Sequence, residues 1–314
     1  MAGNTNFDTL LSTTLHNYRK TLEDNIFSAR PLVYWLKRKD KIRTIDGGVK
    51  IVVPLIYALN STAGSYAGYD TLDTTPQDGI SAAEYPWKQY AASIAISGIE
   101  EAQNNGEEAI IDLLEAKIMQ AEETIAENMD SMFFSDGSGN SGKDWWGLGA
   151  VVEASNPSVA NYGNIDRSTE TWWQSYEENT STALTVPLMA TAYNTTSKGN
   201  DHPDYIITTQ TLFEKYEQAL TPSLRYTDNK SADAGFQNLL YKDAPVFYDT
   251  YCTSGVMYFL NSKYLKLVGH KDKWFVNTEF RRPPDQDARY AQIIAYGQLT
   301  ASNCKRLGKL TAKT

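Results

Sequence analysis

Residues Asn105 to Gly137, NGEEAIIDLLEAKIMQAEETIAENMDSMFFSDG, are the longest periodic segment of the chain, and the rest can be placed around them. Ile111, Leu114, Ile118, Ala121, Ile125, Met129 and Met132 recur at steps of three and four, which puts one apolar stripe on one face of a helix. Asp112, Glu115, Glu122, Glu123 and Glu127 fall opposite and predict an acidic, solvated face. Asn105 is placed to cap the first turn, Glu107 and Glu108 stand where the helix dipole favours negative charge, and Gly137 suits a left-handed stop. At ~1.5 Å per residue the helix would run roughly 42 Å, far beyond the ~11–12 residues of an average helix. Burying each large apolar member is worth about 1.5–3 kcal/mol before conformational entropy is subtracted. A sheet or second helix must therefore lie along this spine.

Upstream, Val49–Ala58 is a β-branched run whose Pro54 confines it to an edge or bulge. Glu84–Ser97 is its expected mate, with Tyr90, Ala92, Ile94 and Ile96 alternating with smaller residues. The Gly-, Ser-, Thr- and Asp-rich segment between Asn60 and Ile80 is long for a compact domain and predicts the tip of a projecting hairpin. Residues 7–38 predict short helical pieces interrupted at Pro31, with patches Phe7, Leu10, Leu11, Leu15, Tyr18 and Leu32, Val33, Trp35, Leu36. Neither patch is large enough to stand alone, so the arm must dock on something.

Downstream, Gly137–Lys143 carries the glycines of a phosphate loop but follows a helix where such a loop must follow a buried strand, and Asp144 replaces the magnesium-binding hydroxyl. It predicts a helix stop and turn. Gly147–Val152 and Asp204–Thr209 predict strands, Thr211–Leu220 a helix, and 156–179 polar loops carrying Trp172 and Trp173. Residues 222–233 are polar. The closing portion predicts antiparallel strands at Ala244–Tyr248, Val256–Leu260, Leu265–Val268, Trp274–Val276 and Ala291–Leu299, the last packed along the spine.

The 314 residues, 41% of them hydrophobic, suffice for one large or two ordinary domains. No apolar leader or membrane-length run appears, so a cytoplasmic site of synthesis and no membrane are expected. The net charge of −9 argues against a protein that coats nucleic acid, and it is segregated along the chain. Residues 1–43 hold eight Lys/Arg against four acids, 60–136 hold fifteen acids against Lys88 and Lys117, and the last fourteen carry four Lys/Arg and no acid. Segments of opposite sign are therefore candidates to meet, within or between copies of the chain.

Chemistry finds little support. Cys252, Cys304, His16, His202 and His270 are too scattered for a metal site, and no cofactor is expected. The adjacent carboxylates Glu100/Glu101, Glu107/Glu108, Glu122/Glu123 and Glu177/Glu178 point in different directions on a helix and suit solvent faces better than an acid/base couple. No nucleophile elbow or zinc motif is present, so no enzyme is expected. Twenty Tyr and seven Trp would also suit the surface of a soluble carbohydrate-active protein, although aromatics more often anchor cores and subunit interfaces.

The order of parts, together with Tyr258-Phe-Leu-Asn-Ser-Lys-Tyr-Leu265, Asp285-Gln-Asp-Ala-Arg289, Tyr296-Gly-Gln-Leu299 and Arg306-Leu-Gly308, resembles the major capsid proteins of tailed bacteriophages. The resemblance spans nearly the whole chain and implies an α+β, Hong Kong 97-like fold. Its parts would be an N-terminal arm (1–45), an extended β-hairpin loop (46–98), a peripheral domain with the spine helix (99–144), a mixed α/β axial domain (145–280) and return strands of the peripheral domain (281–314). It implies self-association as pentamers and hexamers in an icosahedral shell enclosing double-stranded DNA, assembly in a bacterial cytoplasm, and a portal and separate scaffolding or decoration proteins as partners. A bacterial nanocompartment shell has the same fold and is the nearest alternative. The family's wrapping arms and loops give Lys37, Arg38, Lys39, Lys41 and Arg43 an expected contact: Asp70, Asp73 and Asp78 of an adjacent copy, or its acidic spine face. Residues 51–87 contain no lysine, so the covalent crosslinking of some relatives is not expected.

Overall fold

A computed structural model describes residues 30–103, 107–154, 161–220 and 239–314. The Asn105 cap, the first patch of the arm and the 222–233 segment lie outside those residues. Helix α1 (Pro31–Arg38) opens the described chain, with Pro31 in its first turn, where a missing amide costs nothing. Strand β1 (Ile42–Ile45) follows, then β2 (Lys50–Ile56), β3 (Ile80–Pro86) and β4 (Lys88–Ser97). The spine is helix α2, Glu107–Phe134, of 28 residues. Gly137 ends it at φ +77°, a backbone that L side chains rarely adopt. Of the stripe, Ile118, Ile125, Met129 and Met132 are buried. Glu122, expected in solvent, is buried as well, and so is Asp130. The helix is therefore covered over more of its circumference than one stripe predicts.

The strand along the spine is β4, where the sequence suggested the closing strand. Lys117 Nζ donates to Ala95 O at 2.9 Å and Asn128 Nδ2 to Tyr90 Oη at 2.9 Å. In β4, Tyr90, Ala92, Ile94 and Ile96 face inward while Gln89, Ala91, Ser93 and Ala95 are exposed, as the alternation predicts. The mate of β2 is β3, with Lys50 opposite Pro86 and Ile56 opposite Ile80. Strand β4 belongs to another sheet, because Pro86 ends the pairing and the chain after it turns toward the spine.

Beyond the spine lie β5 (Tyr176–Glu178), α3 (Val186–Thr196), β6 (Tyr205–Thr208), α4 (Gln210–Ala219), β7 (Leu239–Tyr241), β8 (Ala244–Tyr248), β9 (Met257–Leu260), β10 (Leu265–His270), β11 (Val276–Asn277), β12 (Ala288–Ala301) and β13 (Gly308–Leu310). One sheet runs β1-β10-β12-β11 with β4 paired to β12; a second, six-stranded, runs β5-β13-β9-β6-β8-β7. The closing strands are not purely antiparallel: β1 on β10, β8 on β6 and β13 on β5 are parallel. Helices α3 and α4 pack on one face of the six-stranded sheet through Met189, Tyr193, Leu212, Phe213 and Tyr216, against Ile206, Val246 and Phe259. Its other face, with Tyr205, Ile207, Phe247 and Tyr258, joins the main core under the spine. Burial on both faces explains why β6 and β9 read as unbroken apolar runs.

Two local expectations fail. Leu148–Val151 is a helical turn, with Val151 N donating to Gly147 O at 3.0 Å and Val152 N to Leu148 O at 2.9 Å. The glycine decides this: a Cβ at Gly147 would stand 2.3 Å from Met132 O, so the chain hugs the end of the spine where no strand partner exists. The 156–179 region is not simply polar loop, for Trp173 is fully buried and donates its indole N–H to Tyr162 O at 2.8 Å.

Candidate functional site

The paired strands β2 and β3 form a ribbon whose two faces differ. Ile51, Leu55, Ala83 and Tyr85 are buried against the body, and Tyr85 Oη donates to Ala301 O at 2.6 Å. Glu84 N donates to Gly163 O at 2.9 Å, and Trp87 Nε1 to Gly48 O at 2.8 Å. Burial pushes the Tyr85 hydroxyl well above its ordinary range, so it stays a neutral donor. The opposite face presents Val52 (58% exposed), Pro54, Ile56 (80%), Ile80 (73%) and Ala82, all apolar. Only Lys50 and Glu84, paired at 2.7 Å, interrupt it at the root.

The tip, residues 57–79, holds no strand and is exposed nearly throughout. Its order comes from short side-chain turns: Asn60 Oδ1 accepts from Thr62 N at 2.8 Å, Asp70 Oδ2 from Ala67 N at 2.8 Å, and Asp73 Oδ1 from Thr75 N at 2.9 Å. The Thr75 hydroxyl and amide hold the Asp73 carboxyl below its usual range. Tyr57 stacks on Trp172 at 5.2 Å and anchors the base of the tip. Leu59, Tyr66, Tyr69 and Leu72 extend the apolar exposure outward. A monomer rarely leaves so many large apolar side chains contiguous in water, and such a patch marks an interaction surface.

The basic segment lies elsewhere on the chain's own body. Helix α1 docks by Leu32, Val33, Trp35 and Leu36, all buried, with Trp35 stacked on Tyr205 at 4.5 Å. Lys39 Nζ stands 3.0 Å from Asp204 Oδ2. Lys37, Arg38, Lys39 and Arg43 are exposed and Lys41 is half-buried. Asp70 and Asp73 bind only their own loop, and Asp78 accepts through its backbone carbonyl from Tyr57 Oη at 2.8 Å. Among the described residues no ion pair joins Lys39, Lys41 or Arg43 to Asp70, Asp73 or Asp78.

Other charges have internal uses that the sequence did not reveal. Lys309 is buried between Glu153 at 3.0 Å and Glu177 at 3.4 Å, and Lys313 donates to Thr180 O. The basic C-terminal run is therefore partly core, and Glu177/Glu178 are not simply a solvent face. Both cysteines are buried free thiols. Trp35, Trp145, Trp173 and Trp274 are buried in the core, and Trp87, Trp146 and Trp172 are half-buried. Among the described residues no helix is long and apolar enough to cross a membrane.

No protein-family model and no curated protein matches the sequence. Solved structures do match the fold. The capsid asymmetric unit of cyanophage A-1(L) aligns with a TM-score of 0.68 at 16% identity, over 88% of this chain and 90% of that one. The capsid of a native GTA particle aligns at 0.60 and 10% identity, over 89% and 90%. The SrpI encapsulin of Synechococcus elongatus PCC 7942 aligns at 0.52 and 11% identity, over 89% and 87%. This chain has the fold of tailed-phage capsid proteins, a fold that extends to an encapsulin.

Proposed function

We propose that the chain is a major capsid protein of a tailed bacteriophage, with a Hong Kong 97-like arrangement, that self-assembles as pentamers and hexamers into an icosahedral shell around double-stranded DNA. The observation that carries this reading is the β2–β3 ribbon, fastened to the body by one face and apolar on the other. At about 1.5–3 kcal/mol for each large side chain removed from water, Val52, Ile56 and Ile80 supply a contact that every copy repeats. Residues 1–45 then act as the arm, 46–98 as the extended loop, 99–144 with 281–314 as the peripheral domain, and 145–280 as the axial domain. A portal is the partner this role implies, with a separate scaffold or none, and decoration proteins as further candidates.

Electron microscopy of the chain expressed in bacteria, alone and with the neighbouring phage structural genes, tests the reading. Closed shells are expected; single molecules under every condition would contradict it. A second reading, a nanocompartment shell, is favoured by the likeness to the SrpI encapsulin. The contents of purified particles separate the two: nuclease-protected DNA supports the capsid, and a stoichiometric protein cargo supports the compartment.

The ionic contact between Lys37–Arg43 of one copy and Asp70, Asp73 and Asp78 of the next is a further part of the proposal. Exposure of both groups and the local tethering of the aspartates support it. Reversing Lys37, Arg38 and Lys39 to glutamate should weaken assembly and blunt its salt dependence. Unchanged assembly with unchanged salt sensitivity would refute the contact.

A further inference from the structure

A pair of carboxyl groups joins the spine helix to the six-stranded sheet. Asp130, near the end of α2, is 1% exposed, and Asp249, just after β8, is 5% exposed. The two side chains lie within hydrogen-bonding reach of each other. Asp249 Oδ1 accepts from Tyr251 N at 3.0 Å, while both oxygens of Asp130 and Oδ2 of Asp249 find no donor among the described residues. Among the described residues the cation facing them is Arg30, ahead of α1, whose Nε stands 3.7 Å from Asp130 Oδ2 and whose guanidinium lies over the Tyr251 ring. The remaining titratable neighbours are Glu127 on α2, which accepts from Tyr251 Oη at 2.6 Å, Tyr205 on β6, and the Cys252 thiol after β8. None of these adds positive charge.

Two ionised carboxylates accept hydrogen bonds and donate none, so in contact and out of water they repel and leave their oxygens unsatisfied. One proton between them makes one a donor and the other its acceptor, and leaves a single negative charge opposite Arg30. We propose that Asp130 and Asp249 share one proton and form a pH-set clasp that ties the spine helix to the six-stranded sheet and, through Arg30, to the segment entering α1.

Burial first, and the Asp249 charge second, push the Asp130 carboxyl up to about 8. Burial raises Asp249 too. The native chain therefore holds this proton more tightly than the unfolded chain, whose carboxyl titrates near 3.8. The clasp's contribution is full below that value, declines as pH rises, and is spent above about 8. Acid tightens the joint, and alkali sets two negative charges across it.

The test uses the full chain labelled with carbon-13 at the aspartate carboxyls and titrated by NMR from acid to alkaline pH. One buried carboxyl should titrate near 8 and vanish from the spectrum of Asp130→Asn. In parallel, the wild-type chain at pH between those two values should release about one proton more on unfolding than Asp130→Asn or Asp249→Asn. Both carboxyls titrating in the ordinary range, or equal proton release in all three chains, would overturn the proposal. So would a joint whose tightness at alkaline pH depended on added calcium or magnesium, since a cation and not a proton would then bridge the pair.

Discussion

The β2–β3 ribbon and the six-stranded sheet are built from the same β-branched and aromatic residues and end in opposite states. The sheet buries both faces: Ile206, Met257 and Phe259 under α3 and α4, Ile207 and Tyr258 toward the spine. Its amides pair along parallel and antiparallel ladders, with open edges at β5 and β7. The ribbon covers only its inner face and holds Ile56 and Ile80 in water opposite one another. Apolar residues alone do not decide which strands become core; the number of layers stacked on them does. The chain folds its body around the sheet and leaves the outer face of the ribbon uncovered.

That contrast can be broken or sharpened by substitution. Phe259→Ala, fully buried in the sheet, should destabilise the chain by about 3–5 kcal/mol in denaturant unfolding. A much smaller loss would mean the sheet is not the self-sufficient core. Ile56→Asp with Ile80→Asp should leave unfolding of the isolated chain within about 0.5 kcal/mol. The same double variant should lose shell formation in light scattering, because each copy forfeits a contact of about 1.5–3 kcal/mol per side chain and buries a charge instead. Normal shells from it would place the interface elsewhere. Tyr85→Phe removes the bond to Ala301 O and should cost about 1 kcal/mol, seen as faster hydrogen exchange at the ribbon's root. Lys39→Ala, which breaks a partly exposed ion pair with Asp204, should change stability by only about 0.2–1 kcal/mol, read from the same denaturation curves.

Much of this was legible in the sequence, for reasons that also explain the failures. The spine and β4 announce themselves because each is half-buried, and half-burial writes a period of 3.6 or 2 into the residues, whereas the pairing of β2 with Ile80–Pro86 is not written in either strand. Gly147–Val152 was misleading because its β-branched run suits a strand, whereas the close approach to Met132 O is a property of the folded chain alone. Helix α3 escaped notice because Thr- and Asn-rich VPLMATAYNTT has weak helical propensity; its start is set by the Thr185 hydroxyl accepting from Leu188 N at 3.4 Å. The acidic face predicted for the spine includes Glu122, which is buried, and the periodicity gives no sign of the buried Asp130. Asp130 meets a partner more than a hundred positions away, and no local pattern carries that information. The apolar outer face of the ribbon was legible only in part, since Val52, Ile56 and Ile80 look like core until the structure shows nothing above them.

Hydrogen exchange over residues 50–86, compared between assembled particles and the same chain dissociated into single molecules, tests the central claim most directly. The tip amides should exchange freely in the single molecule and the ladder-paired β2–β3 amides more slowly, and both should gain protection on assembly, while the six-stranded sheet is equally protected in both states. Equal exchange of the ribbon in the two states would contradict the claim that its apolar face is completed by a neighbouring copy.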